Sequence, residues 1–239
     1  MRGKLVTIPI LGLSLVLSSV IFGLFFYQSR LPEKTIRVVG AATKRFGSDI
    51  IKWRVTISRT TGANDIKSGY SLLRNDLQAF KVMLEANGIP VKALTIQPVN
   101  TSPIYSQYDK NTGISGYNIT QSMYLISKDV ATIEKIALDP GILIERGLFL
   151  QSSNLEYYSS QLDTIKKELL AAATRDAKQR AMKIAAGSGN RITNIESARV
   201  GVFQITEPYS TEVSDYGVFN TATKEKDITV TMNVVFRLK

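Results

Sequence analysis

The 239-residue chain contains neither cysteine nor histidine, and those two absences exclude more chemistry than any motif it carries admits. Without a thiol there is no disulfide framework, no thiolate nucleophile and no cysteine metal site. Without an imidazole, Ser-His-Asp and Cys-His hydrolysis lose their base and zinc hydrolase sites lose their usual ligand. An enzyme built on this chain would have to run on carboxylates, lysines or tyrosines. The expectation is therefore a non-enzyme with no catalytic, cofactor-binding or metal-ligating residues. A Gly-rich phosphate turn is also missing. Acidic residues are the scarcer charge, 20 against 30 lysines and arginines, for a formal net charge of +10. That balance invites a nucleic-acid reading. No RNP-like string or cysteine-histidine finger accompanies it, so nucleic acid is not an expected partner.

Apolar residues, in contrast, make up 44% of the chain, enough for a real core. They are unevenly placed. Leu5 to Tyr27, LVTIPILGLSLVLSSVIFGLFFY, carries no charge, with Arg2 and Lys4 before it and Arg30 after it. At about 1.5 Å per residue, such a run is long enough as a helix for a hydrocarbon core of about 30 Å. A cleaved signal peptide is the rival reading, but its apolar region is typically about 7 to 15 residues and ends at a small-x-small site. This run instead closes on Phe25, Phe26 and Tyr27. Residues 1–30 are thus expected to be an N-terminal membrane anchor or uncleaved signal, meeting the lipid bilayer through residues 5–27. Basic residues flank both ends of the run, but long domains translocate largely regardless of charge. The expected arrangement is a single pass with the C-terminal domain outside. Setting Arg2, Lys4 and Arg30 aside leaves 27 basic residues against 20 acidic, or +7, on residues 31–239. An excess of that sign points to an anionic lipid surface or an acidic envelope polymer.

Beyond the anchor, Lys34 to Val39 reads as a short strand and Gly40 to Gly47 as a connection. Ile51, Trp53, Val55 and Ile57 alternate with polar neighbours, the pattern of a strand with one wet face. Ile66, Tyr70, Leu73, Leu77, Phe80 and Leu84 then step by three and four, which predicts an amphipathic helix stopped by Gly88 and Pro90. Leu94 to Tyr108 reads as a strand that Pro98 and Pro103 confine to an edge or a bulge. A turn over 109–116 leads to a return strand through Tyr117 and Leu125. Asp129 is placed to cap a short helix ending at Asp139-Pro140-Gly141, and Ile142 to Ser152 suggests another strand with Gly147 as a possible bulge. Leu155 to Ala186 reads as the second long helix, with Ala173, Ala177 and Ala181 in its apolar stripe. Ile192 to Phe203 is a further strand region, 206–227 a long polar loop, and Ile228 to Leu238 an alternating last strand. Together these predict an α+β fold, a mainly antiparallel sheet packed by two long amphipathic helices and preceded by one N-terminal transmembrane helix.

Several strings in this order resemble the SIMPL-domain family, whose bacterial members are often described as oxidative-stress-defence or periplasmic immunogenic proteins. They are IRVVGAATKRFGSDIIKWRVTI, GIP at 88–90, ISGYNITQSMYLISKDV at 114–130 and the alanine-rich helix AAATRDAKQRAMKIAAGSG. Trp53 and the tail EPYSTEVSDYGVFNTATKEKDITVTMNVVF resemble a Trp-bearing subgroup. The similarity runs from about Thr35 to Leu238. It implies an α+β domain over 31–239 placed outside the cytoplasm, with ring-like or channel-like homo-oligomers in some members, and it brings no catalytic residues. Two departures stand out: Ser48 occupies the position before Asp49 where the family usually has proline, and the N-terminus reads as a retained anchor rather than the leader of a freely soluble periplasmic product. Localisation follows as the bacterial inner membrane, single pass, with the domain on the periplasmic side.

Individual side chains add little catalytic promise. Asp49, beside Lys52 and Arg54, is expected to cap a turn or bridge charges rather than act as an acid or base. Asp176 is placed to pair with Arg180 four residues on. Tyr105, Tyr108, Tyr117 and Tyr124 suit sheet packing or an interface better than base stacking. The edges near Pro98 and Pro103 and the 206–227 loop are the expected self-assembly surfaces. The functional expectation is a membrane-tethered, self-associating envelope protein with a structural role, possible links to stress resistance, and homo-oligomeric partners. The alternative is an envelope binding module for a partner protein or an anionic ligand, held on the sheet face or in a helix–sheet cleft.

Overall fold

The structure, a computed structural model, describes residues 4–29, 34–105, 113–148 and 150–239, and the side chains of the first helix from 12 to 27. Helix α1 is Lys4–Ser29, and its described side chains are all exposed. Among the described residues no helix is long and apolar enough to cross a membrane. Side chains 5–11 of the expected span lie outside what is described, as does Tyr108.

The rest of the chain runs β1 (Thr35–Gly47), β2 (Ile50–Gly62), α2 (Ile66–Ala86), a 3-10 turn at Val91–Ala93, β3 (Leu94–Tyr105) and β4 (Ile114–Ser127). It continues through α3 (Val130–Ala137), α4 (Pro140–Ile144), β5 (Leu150–Tyr158), α5 (Leu162–Gly187), β6 (Ile192–Val200), β7 (Gln204–Thr206) and β8 (Glu225–Leu238). The expected α+β class and antiparallel pairing hold, but the strands form two four-stranded sheets instead of one. The first is ordered β3-β4-β2-β5; the second is β1-β8-β6, with β7 also on β8. Alternation specifies which face of a strand is buried, not which strand it joins.

The chain separates into two compact units. One comprises Met1–Gly40, Thr174–Arg199 and Met232–Lys239; the other comprises Ala41–Ala173 and Val200–Thr231. The second unit holds the larger core. Trp53, Val55 and Ile57 of β2, Met123 and Leu125 of β4, and Leu73, Phe80, Met83 and Leu84 of α2 are buried there with Ile133 and Ile136 of α3. Trp53 lies 5.4 Å from the Phe80 ring and donates its indole N–H to Ser153 Oγ at 2.9 Å. α2 comes close because residue 69 is glycine: a Cβ there would sit 2.7 Å from the Ile119 side chain. Arg59 clamps the same helix to β2 by two 2.6 Å bonds to Asp76. In the first unit the buried side chains include Val38, Ala177, Ala181, Ala185, Met232, Val234 and Phe236.

Three local expectations are corrected. Residues 40–47 continue β1 rather than forming a connection, because the small residues Gly40, Ala41 and Ala42 conceal the alternation. Residues 142–148 are not strand: Asp139 accepts from Gly141 N at 2.9 Å and opens α4 at Pro140, the favoured first helical position for proline. Gly147 is then a turn residue with φ 69° rather than a bulge. Residues 155–158 belong to β5, not to the long helix, since Leu155 pairs with Trp53 and Tyr158 with Ile50. The expected irregularity at Pro98 is present as a register shift between Ile96 and Val99 in β3, an edge strand. Asp129 caps α3 by accepting from Thr132 N at 3.1 Å.

Candidate functional site

Asp49 is a turn cap. Its carboxylate accepts from the Ser160 amide at 2.7 Å and from the Ser160 hydroxyl, and these bonds hold it below the usual carboxylate range. Both oxygens are thus committed to the turn that precedes α5. Asp176 pairs with Arg180 at 2.8 Å on an open helix face. Lys52 lies 5.0 Å from the Tyr124 ring, and Arg54 reaches Glu156 at 3.1 Å. Tyr117 packs against the core and Tyr105 is exposed. Lys52 also reaches Glu156, at 3.7 Å, so Lys52, Arg54, Glu156 and Tyr124 form one charged cluster on the first sheet. Among the described residues no three acidic side chains gather as a metal site requires.

The sequence reading missed Lys226. It is only 2% exposed, and its ammonium donates to Ser48 Oγ at 3.0 Å, to Tyr157 O at 2.9 Å and to Thr223 O. Three N–H donors meet three neutral acceptors, the full capacity of an ammonium group. Burial pulls its pKa down to about 8, which suits a nucleophilic amine. The engaged donors and the lack of exposure instead make it a lock joining the turn before β2, strand β5 and the segment before β8. Ser48, where the family resemblance implies proline, supplies one of the acceptors. Strand parity carried the signal: Ile228, Val230, Met232, Val234 and Phe236 fill one buried row of β8, and residue 226 continues it. Next to the lock, burial and the Glu134 carboxylate push the Tyr157 hydroxyl up to about 12.

The segment between β7 and β8 is polar, as expected, and it is tightly organised. The Gln204 amide donates to Ser214 O at 2.7 Å, while its carbonyl accepts from Val218 N at 2.8 Å. Ile205 N bonds Val218 O, and Asn220 N bonds Ile205 O, each at 2.8 Å. Tyr209 adopts φ 63°, an uncommon conformation for a bulky residue. Arg45 lies 4.4 Å over its ring, bonds its hydroxyl at 3.2 Å and forks onto Asp227 at 2.8 and 2.9 Å. Despite this anchoring, the segment exposes its apolar side chains: Tyr209 is 87% exposed, Val213 79% and Tyr216 99%. A constrained backbone thus holds large apolar side chains in solvent.

A cleft of about 510 Å³ lies between α2 and the bulged part of the first sheet. Leu73, Leu77 and Val99 give it an apolar floor, with Lys67, Arg74, Tyr70 and Gln121 around it. Tyr70 is fixed by a 2.7 Å bond to Thr101, and Gln121 donates to Gln97 O at 3.0 Å, where β3 is irregular. Among the described residues neither Lys67 nor Arg74 has an acidic partner.

No curated protein matches the sequence. The family model for SIMPL, described as a protein of unknown function (DUF541), matches residues 36–236. With that match covering nearly everything after the first helix, and with the α+β architecture of two antiparallel sheets and their helices in place, the chain belongs to the SIMPL family.

Proposed function

We propose that this chain is a membrane-tethered, self-associating protein of the bacterial cell envelope with a structural, scaffolding role, serving resistance to envelope stress. It passes once through the inner membrane by residues 5–27 and holds its domain on the periplasmic side. The observation that carries the self-association is the segment 207–219, fixed by Gln204 and Arg45 yet presenting Tyr209, Val213 and Tyr216 to solvent. Apolar side chains buried between copies stabilise an assembly by about 25 cal/mol per Å², and aromatic anchors on a preorganised backbone lose little entropy on binding. The uncharged run Leu5–Tyr27 and the exposed apolar side chains of α1 support the tether. Catalysis is disfavoured by the missing histidine and cysteine and by the full engagement of Lys226.

Light scattering on the full chain in mild detergent tests the proposal. A single discrete mass of several copies is the expected result, and a monomer across the concentration range contradicts it. A second reading, an envelope binding module for an anionic ligand, is favoured by the α2 cleft with its apolar floor and the Lys67 and Arg74 side chains. Saturable binding of an anionic amphiphile, lost in Arg74→Ala with the assembly intact, would favour that reading.

A further inference from the structure

The second sheet has a face with no counterpart among the features described so far. Along β8 the even-numbered side chains from Lys226 to Phe236 are buried, which puts Thr231, Asn233, Val235 and Arg237 on the opposite face. There, Arg37 of β1, Asn233 and Val235 of β8, and Ser197 and Arg199 of β6 line a concavity of about 260 Å³. All five residues belong to the first compact unit. β8 lies between β1 and β6, so the two arginines rise from strands about 10 Å apart, two strand spacings. Both side chains line the one concavity, so by leaning over the central strand they can close on a single ion. No acidic residue lines the concavity, and among the described residues neither Arg37 nor Arg199 has a carboxylate partner. This differs from Arg45, Arg54, Arg59, Arg180 and Arg237, each of which pairs with an acid.

We infer that this concavity binds a phosphate group, with Arg37 and Arg199 as a two-sided clamp and Ser197 and Asn233 as neutral donors. Guanidinium forks match phosphate oxygens bidentately, and the hydroxyl and carboxamide add N–H and O–H donors without adding charge. The volume exceeds that of one phosphate, so a phosphoester with its neighbouring atoms fits. The end of the sheet nearest Arg37 is basic. Leu238 N bonds Lys34 O at 2.7 Å, and Arg191 and Lys239 exchange both backbone bonds, at 2.9 and 2.7 Å. Lys34, Arg191 and Lys239 are thereby gathered where the chain arrives from α1. Ser29 and Arg37 are eight residues apart, at most about 27 Å of extended chain. On the tether reading proposed above, that distance places the clamp within reach of lipid headgroups. Lipid headgroup and free phosphate share the recognised chemistry, and the experiment separates them.

The test is calorimetric titration of the full chain in a non-ionic detergent with inorganic phosphate and, separately, with dihexanoyl phosphatidylglycerol. Saturable binding is expected, weakened at least tenfold in Arg37→Ala/Arg199→Ala. The Arg37→Lys/Arg199→Lys pair should bind with intermediate affinity, because lysine keeps the charge and loses the fork. Should the alanine pair lower the melting temperature, the lysine pair carries the comparison alone. Tenfold tighter binding of the lipid than of phosphate assigns the site to headgroups, and equal or tighter phosphate binding assigns it to free phosphate. Absence of saturation with both probes, or equal affinity in the wild type and a folded variant, overturns the inference. The tether reading fails separately, if the full chain does not float with neutral phosphatidylcholine vesicles. The phosphate titration does not depend on that outcome.

Discussion

The two long helices bury their inner faces by opposite means. α2 uses bulk, with Leu73, Phe80, Met83 and Leu84 at or near zero exposure beside Trp53. After Ile165 and Leu169, α5 uses smallness: Ala173, Ala177, Ala181 and Ala185 are fully buried. From Ala173 onward α5 buries only methyl groups where α2 buries rings and branched chains. Damage to the two should therefore come from opposite directions, removal of atoms at α2 and addition of atoms at α5.

The largest effect is expected from Phe80→Ala. It removes the ring that packs on Trp53 and should cost about 3–5 kcal/mol in urea unfolding, transfer and cavity terms together. Ala181→Leu is the converse test and should cost about 1–3 kcal/mol by overpacking, whereas Leu77→Ala on half-buried α2 should cost less than Phe80→Ala. If Ala181→Leu were neutral, the comparison would break. At the end of the β8 row, Lys226→Met exchanges the only charge for an apolar chain and leaves Ser48, Tyr157 and Thr223 without their donor. A loss of about 1–3 kcal/mol is expected.

The same lysine gives a pH signature. Its folded pKa, about 8, lies below the unfolded value of 10.5, so the unfolded chain binds more protons between them and stability rises with pH across that window. Tyr157, raised from 10.0 to about 12, acts with the opposite sign: the unfolded chain releases its proton first, and stability falls above pH 10. Unfolding measured from pH 7 to 12 should therefore peak near pH 10 in the wild type, and Lys226→Met should lack the rising limb. The smallest effect belongs to Arg180→Ala, which breaks an exposed i,i+4 pair and should cost no more than about 0.5 kcal/mol.

Which of these features can be read in the sequence follows from whether they are local. The three- and four-residue steps from Ile66 to Leu84 fix α2 and its buried face, and strict alternation fixes β2 and β8. Asp129 was recognisable as a cap because the helix it serves begins immediately after it. Partner choice is not local, which is why one sheet was expected where the chain builds two. Leu155 to Tyr158 suits a helix by composition but is drawn into β5 by its pairing with β2. Lys226 was legible in part: extending the buried row of β8 by one step puts a lysine in it, and only the fold shows which three oxygens receive it. The clamp residues Arg37 and Arg199 lie far apart in sequence, and nothing in either strand alone announces that β8 lies between them.

The segment between β7 and β8 carries the central claim, because it joins a rigid backbone to an exposed apolar surface. The most direct measurement is the mass by light scattering of the full chain in mild detergent, compared with Tyr209→Ser/Val213→Ser/Tyr216→Ser, after circular dichroism has shown equal folding. The account predicts a discrete oligomer for the wild type and a substantially smaller particle, down to the monomer, for the variant. Equal masses for both would contradict it.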